Sequence, residues 1–459
     1  MGDELGAIAQ RAVDAALAAG AGDAEAYVQD SLGREIRVFD GEVESLTEAG
    51  ERGVGVRCWI DHRAGYAYGT ELSEEGLGRI GQDAVETARI ADADEFAAAP
   101  LGDGAGAPAI PGLHDPSLAG WTTERKIELA KRIERAAREA DDRVVAVETA
   151  VYVDEEQRVA IASSTGLAGA FEATSAYAYT QAIAEARDDK QTGLGFGMGR
   201  SPEGLDSEEI GREAAERAAT LLGARKPSSR TCPVVLDPTV AASFVGFIGG
   251  TLCADTVQRG RSLFAGRLGE VVASPALTVT DHATDPAGLN SSPFDAEGTP
   301  RGQTPLIEAG ELVAYLHDSY TARRQQAQGA AGARTTANAS RAGYRSPPSV
   351  STSNLIIAPG SKSFEELLAE AGDGVYVTDV AGLHSGVNPV SGTFSVGATG
   401  RLIEGGRLAA PADEFTIASD LQSMLKTITA VASEARWVPF GGSISAPALL
   451  LGEMAVGGS

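Results

Sequence analysis

Cysteine is scarce in this 459-residue chain: Cys58, Cys232 and Cys253 are widely spaced and include no C-x-x-C pair. That excludes a disulfide framework and a thiolate zinc site, and it fits a reducing compartment. Histidine is scarce as well. His62, His114, His282, His317 and His384 are scattered, none with a second histidine three to five residues away, the spacing that lets one helix offer two imidazoles to a metal. Only a site assembled from distant segments stays open to a metal. Basic charge is outnumbered, with 38 Lys and Arg against 64 Asp and Glu and a formal net charge of −26. That balance argues against a nucleic-acid partner, whose phosphates need clustered cations, and it favours solubility. Long apolar runs are missing too. No segment approaches the ~18 uninterrupted apolar residues that mark a membrane span. The opening "MGDELGAIAQRAVDAALAAG" carries acidic groups where a secretory leader has basic ones. A cytoplasmic protein is expected.

What the chain does have is length for two or three domains, with 43% hydrophobic residues to give them cores. Leu5, Ile8, Ala12 and Ala16 place an apolar stripe on a first helix. The strand candidates "AEAYVQD", "REIRVFD", "GVGVRCWI" and "AGYAYG" follow, then a helix with Ser73 as its N-cap. The order recurs. Ile127, Leu129, Ile133 and Ala137 mark a helix, "VVAVETAVYVDE", "QRVAIAS" and "EATSAYAYTQAIAEA" are strand candidates, and a closing helix opens at Ser207. Between the units lies "EFAAAPLGDGAGAPAIPGLHDPSLAG", an Ala/Gly/Pro-rich connector. The fold class read from this pattern is α+β. Residues 1–226 form an N-terminal α/β domain of two related helix–strands–helix units, about 1–95 and 120–226. Residues 230–459 form a mainly β domain with a large curved sheet. There, "IEAGEL" and "IEGGRL" are hairpin signals, and helices are expected near 239–255, at "SFEELLAEA" and over "ASDLQSMLKTITAVA".

"GLGFGMGRS", near 193, invites a nucleotide reading but has glycine at every second position and no helix directly after it. The G-x-G-x-x-G spacing of a phosphate cradle is not met, so a glycine-alternating strand or loop is expected. Ser423 and Lys426 form S-x-x-K without an S-D-N or K-T-G companion, a pattern common by chance. The richest stretch is "VTDVAGLHSGVNPVSGTFSVGATG", 377–400. Read plainly it is a set of hairpin turns. Read functionally it is a groove that pairs with an extended peptide by strand addition. Gly386 and Gly392 would let another backbone approach, and His384, Asn388 and Ser391 would offer hydrogen bonds.

Three stretches together resemble the TldD/PmbA (TldD/TldE) metallopeptidase family. They are "RGRSLFAGRLGEVVASPALTV", "SSPFDAEGTPRGQTPLIEAGELVAYLHDSYTAR", and "GLHSGVNPVSGTFSVGATG" with the terminal "SISAPALLLGEMAVGG". The resemblance implies an α/β domain ahead of a β-rich one, and two kinds of subunit. The TldD kind carries H-E-x-x-x-H and a further metal-ligand cysteine near the C-terminus. The TldE or PmbA kind lacks the metal site and pairs with TldD around a peptide-cleaving chamber. Anchored on Arg259 and Gly260, the two histidine positions fall on Val245 and Gly250 and the glutamate position on Gly246. The segment "SEARWVPFGGSISAPAL" holds no cysteine. The resemblance therefore implies a TldE/PmbA-like subunit with no cofactor of its own, zinc in a TldD-like partner, a peptide substrate and a homodimer in isolation. It also carries the "modulator of DNA gyrase" naming. Two other readings stand beside it. One is a self-sufficient amide-cleaving or amide-modifying enzyme of a natural-product pathway, drawing on His384, Asp295 or Ser391. The other is a peptide-binding scaffold with no enzyme partner.

Overall fold

Strand alternation decides how the first half is layered. The computed structural model describes residues 2–102, 106–388 and 390–459. Its first unit runs α1 (Gly2–Ala18), β1 (Asp23–Phe39), β2 (Glu42–Ile60), β3 (Arg63–Gly69) and α2 (Glu74–Ile90). The second runs α3 (Thr123–Glu139), β4 (Val144–Ser163), β5 (Ala168–Ala186), β6 (Asp189–Gly199) and α4 (Ser207–Leu221). They merge into one six-stranded antiparallel sheet, β3-β2-β1-β4-β5-β6, with the β1–β4 seam at its centre. On β1, Ala24, Ala26, Val28, Ile36 and Val38 pack with the helices. Glu25, Tyr27 and Gln29 point the other way, because successive side chains of a strand leave opposite faces. That second face receives the C-terminal half: Tyr27 packs near Phe294, and the Tyr344 amide donates to Gln29 Oε1 at 3.2 Å.

The strands are longer than the sequence pattern suggests. "AEAYVQD" and "REIRVFD" are one strand, and "VVAVETAVYVDE" and "QRVAIAS" are another. The intervening "SLG" looks like a break, yet Ser31 pairs with Glu51 and Gln157, and Gly33 with Ala49 and Glu155. Pairing on both sides overrides weak local propensity. "GLGFGMG" lies within β6, as a glycine-alternating strand. A Cβ on Gly195 would collide with the α4 backbone at Ile210 O and sit 2.8 Å from Ala214 N, so these glycines let the helix lie directly on the strand.

In the second half, β7 (Arg230–Leu236) leads into α5 (Pro238–Thr251). The ten-stranded sheet there curves until it closes. From β7 it passes through Gly374–Ala381, Thr393–Glu404, Arg407–Asp420 and Ser443–Gly457, and the last of these returns to β7. The chain is thus α+β with a large curved sheet, as read. Both hairpin signals hold: Ala309 and Gly310 have φ of 45° and 86°, Gly405 and Gly406 of 55° and 76°. Positive φ at both central residues matches the twist of the flanking strands. One helix expectation is corrected, and one helix was not expected. In "ASDLQSMLKTITAVA" only Leu421–Lys426 is helical, and Ile428–Val438 is a strand beside the terminal one, where its β-branched residues fit. A helix at Ser319–Ala327, closed by an Asp318–Thr321 capping box, has no counterpart in the sequence reading. It anchors the connector: Arg323 donates to the Phe96 and Ala98 carbonyls, and Tyr320 to Asp94. Among the described residues no helix is long and apolar enough to cross a membrane.

Candidate functional site

The helix that carries the aligned positions is α5. Asp237 caps it, its Oδ1 accepting from the Thr239 amide at 2.8 Å, and Pro238 takes the first-turn place where no amide hydrogen is needed. Val240, Phe244, Val245 and Ile248 share one core with Val377, Val396, Ile417 and Leu451 of the curved sheet. Ser243, Gly246, Phe247 and Gly250 form the less buried stripe, at the i, i+3, i+4, i+7 spacing of one helix face. The three aligned positions are therefore split. Val245 is buried, whereas Gly246 and Gly250 lie on the open stripe. A Cβ on Gly246 would meet Ile444 at 2.9 Å, and one on Gly250 would meet nothing within 4 Å.

Zinc does not fit this helix. A catalytic zinc takes three nitrogen, oxygen or thiolate ligands, and valine and glycine side chains supply none. The nearby Cys253 thiol is buried and donates to the Gly249 carbonyl. Burial, with the charges of Asp255, Asp281 and Asp318, pushes its pKa up to about 12, so the thiolate form is disfavoured. Burial also lowers His317 to about 4. Among the described residues no group of three or more His, Cys, Asp or Glu is placed to hold a metal.

Beside α5, between the six-stranded sheet and the loops of the second half, lies a cavity of about 480 Å³. Thr352 links the two: it lines the cavity, and its methyl lies 2.9 Å from where a Gly249 Cβ would stand. A buried ion network runs behind this wall. Glu25 Oε2 accepts from Arg57 at 2.7 Å, Glu25 Oε1 from Arg341, and Glu297 Oε1 from Arg57 at 2.9 Å. Glu297 also takes the amide and hydroxyl of Ser319, each at 2.9 Å. Burial alone would raise the Glu297 carboxyl, but Arg57 and Ser319 hold it below its usual range. Asp295, on the cavity wall, is raised by burial and by the neighbouring Glu297 charge. Of this set the sequence reading had singled out only Asp295. Glu25 and Arg341 are 316 residues apart, so no local pattern joins them.

Of the stretch 382–400, residues 393–400 belong to the strand Thr393–Glu404, and only 382–392 connects it to Gly374–Ala381 of the curved sheet. Asn388 Oδ1 accepts from the amides of Val390 and Ser391 at 2.9 and 3.0 Å, and the Ser391 hydroxyl lies 2.8 Å from that of Thr393. These bonds close a turn, while both residues stay exposed. A Cβ on Gly386 would approach the Ser395 carbonyl at 2.9 Å. The side chain of His384 lies outside the described residues. Asp295 lines the cavity and Ser391 bonds within its own loop, and among the described residues no contact joins them. Gly392 is buried with φ of 76°, its amide donating to the Asn388 carbonyl at 2.8 Å. Its backbone, more than its lack of bulk, requires glycine: a Cβ would meet Leu421 and Leu263 only at ordinary distances of 3.6–3.8 Å. Gly392→Ala is expected to lose ~1–2 kcal/mol of stability to left-handed strain, measured by urea denaturation. Unchanged stability would return the glycine to a groove role.

Models of the PmbA/TldA metallopeptidase match the chain in three consecutive parts: domain 1 over residues 24–88, the central domain over 116–222 and the C-terminal domain over 229–458. The chain is 29% identical to Metalloprotease PmbA of Escherichia coli O157:H7, over 98% of this chain and 96% of that one. It is 27% identical to the Metalloprotease TldD homolog of Haemophilus influenzae, over 95% and 93%. Among solved structures, a proposed modulator of a DNA gyrase from Thermotoga maritima MSB8 superposes with a TM-score of 0.88 at 28% identity, over 98% and 99% of the two chains. TldE from Thermococcus kodakarensis, at 21% identity and a TM-score of 0.89 over 98% and 100%, shows the shared fold. With matches that run in order through both halves of the molecule, the chain belongs to the PmbA/TldD metallopeptidase family.

Proposed function

We propose that this chain is the zinc-free, TldE/PmbA-like subunit of a heteromeric metallopeptidase acting in the cytoplasm on unfolded or small modified peptides. A TldD-like partner supplies the zinc. The observation that carries the reading is the α5 face, where Val245 is buried and Gly246 and Gly250 offer no side-chain donor. Metal-assisted peptide hydrolysis needs ligands and a group to move the proton of the bound water. This helix supplies neither, so its contribution is to line the peptide chamber. The loop bearing His384, Gly386, Asn388, Ser391 and Gly392 forms part of that wall, and the chain pairs with itself when the partner is missing.

The test is reconstitution. The purified chain is expected to hold no stoichiometric zinc by elemental analysis and to leave a fluorogenic unstructured peptide intact. Cleavage should arise when a TldD-like subunit is added, and a chelator should abolish it. About one tightly held zinc per chain would overturn the proposal. So would chelator-resistant cleavage by the repurified chain alone, which would favour the self-sufficient enzyme.

A further inference from the structure

Three guanidinium groups, those of Arg200, Arg301 and Arg341, line the cavity between the two halves. Neither Arg200 nor Arg301 forms an ion pair among the described residues. Arg200 donates to the carbonyls of Thr174, Pro286 and Gly288. Arg301 donates to the Ala337 and Ala339 carbonyls at 3.1 and 3.2 Å and to Ser292 Oγ at 2.8 Å. Arg341 spends one nitrogen on Glu25, and its Nη1 is buried with no hydrogen-bond partner. The carboxylates that act on Arg301 through space are already engaged. Asp295 accepts from the amides of Glu297, Thr299 and Ala339, and Asp281 from Ser353 and Asn338. Glu155 also lines the cavity, its carboxyl raised by burial and by the charge of Glu51.

Arg200 and Arg301 donate to neutral oxygens and touch no carboxylate directly among the described residues, so their charge is offset only through space, by Asp285 at Arg200 and by Asp295 and Asp281 at Arg301. A planar fork of N–H donors recognises a carboxylate in two-point fashion. The volume suits a small ligand, and hydroxyls of Ser175, Ser340 and Ser351 with the ring of Phe171 complete a wall suited to amides and an apolar side chain.

We infer that this cavity binds the free C-terminal carboxylate of a short peptide, held by Arg200, Arg301 and Arg341. The carboxylate rests on the arginines alone; only the peptide character of the ligand rests on the function proposed above. The experiment therefore uses the isolated full-length chain, with neither partner nor zinc, so that its failure is separate from a failure of reconstitution. Calorimetric titration with N-acetyl-alanyl-alanine is expected to show saturable binding. Its C-terminal amide should bind at least about tenfold more weakly, and Arg200→Gln and Arg301→Lys should each weaken the acid by about tenfold or more. Circular dichroism checks that the variants fold, and the acid-to-amide comparison on the unaltered chain decides the matter if they do not. Equal affinity for acid and amide, or no saturation by about 10 mM, would overturn the inference. Inorganic phosphate binding more tightly than the acid would overturn the assignment to a peptide carboxylate.

Discussion

Glu25→Ala is expected to destabilise the protein by about 3–5 kcal/mol and to loosen its two halves from one another. Glu25 is fully buried, on the face of β1 that meets the second half. It is the shared acceptor of two guanidiniums, Arg57 of β2 and Arg341 of the distant loop. Without it, Arg57 retains Glu297, but Arg341 keeps the Ala296 carbonyl and the face of the Tyr27 ring and no carboxylate among the described residues. A buried cation stripped of its counter-charge is far more costly than a lost hydrogen bond, because desolvation is no longer offset. Two measurements check this: urea unfolding, and limited proteolysis of the connector, which Arg323 ties to the second half. The double variant Glu25→Leu/Arg341→Met removes both charges and should recover part of the loss. If Glu25→Ala costs less than about 1 kcal/mol, water or rearranged carbonyls replace the carboxylate and the network is not what joins the halves.

Much of this architecture was legible before the structure. Ala24, Ala26 and Val28 alternate with polar neighbours, and that period of two alone places a half-buried strand. The two hairpins and the alternating glycines of β6 were equally plain, since turn and strand glycines leave local marks. What escaped is what depends on distant partners. The "SLG" of β1 is held extended by neighbours on both sides. "TITAVA" follows a helix and is drawn into the sheet by the terminal strand. The same holds for the site. The three positions on α5 come from the family resemblance, aligned at Arg259 and Gly260 within one short stretch of chain, whereas Glu25, Arg57, Glu297 and Arg341 come from four separate segments and meet only once the chain has folded. Arg200 and Arg301 carry no sequence signal either, because carbonyl oxygens, which every residue has, are their main acceptors.

The contrast between two glycines gives the last expectation. Gly195→Ala should destabilise the protein by about 3 kcal/mol, at the upper end of what overpacking costs. Gly78→Ala should stabilise it by about 1 kcal/mol. Gly78 stands exposed on α2 with nothing within 4 Å of an added Cβ, so alanine there only restricts the unfolded chain and favours the helix. At Gly195 the added carbon strikes the α4 main chain, which cannot swing aside as a side chain would. Displacing α4 has a second effect. Its Glu213 accepts from Arg436 at 2.8 Å and from Arg217 at 3.0 Å, and Arg217 pairs at 3.4 Å with Asp237, the residue that caps α5. The shift would therefore pass from the first half into the helix that bears Gly246 and Gly250. Thermal unfolding compares the two variants directly, and amide hydrogen exchange over 238–251 reads the second effect. Matching stabilities for the two variants would mean that α4 rides free of β6. Loss at Gly195 with unchanged exchange in α5 would mean that the Arg217–Asp237 contact does not couple the halves.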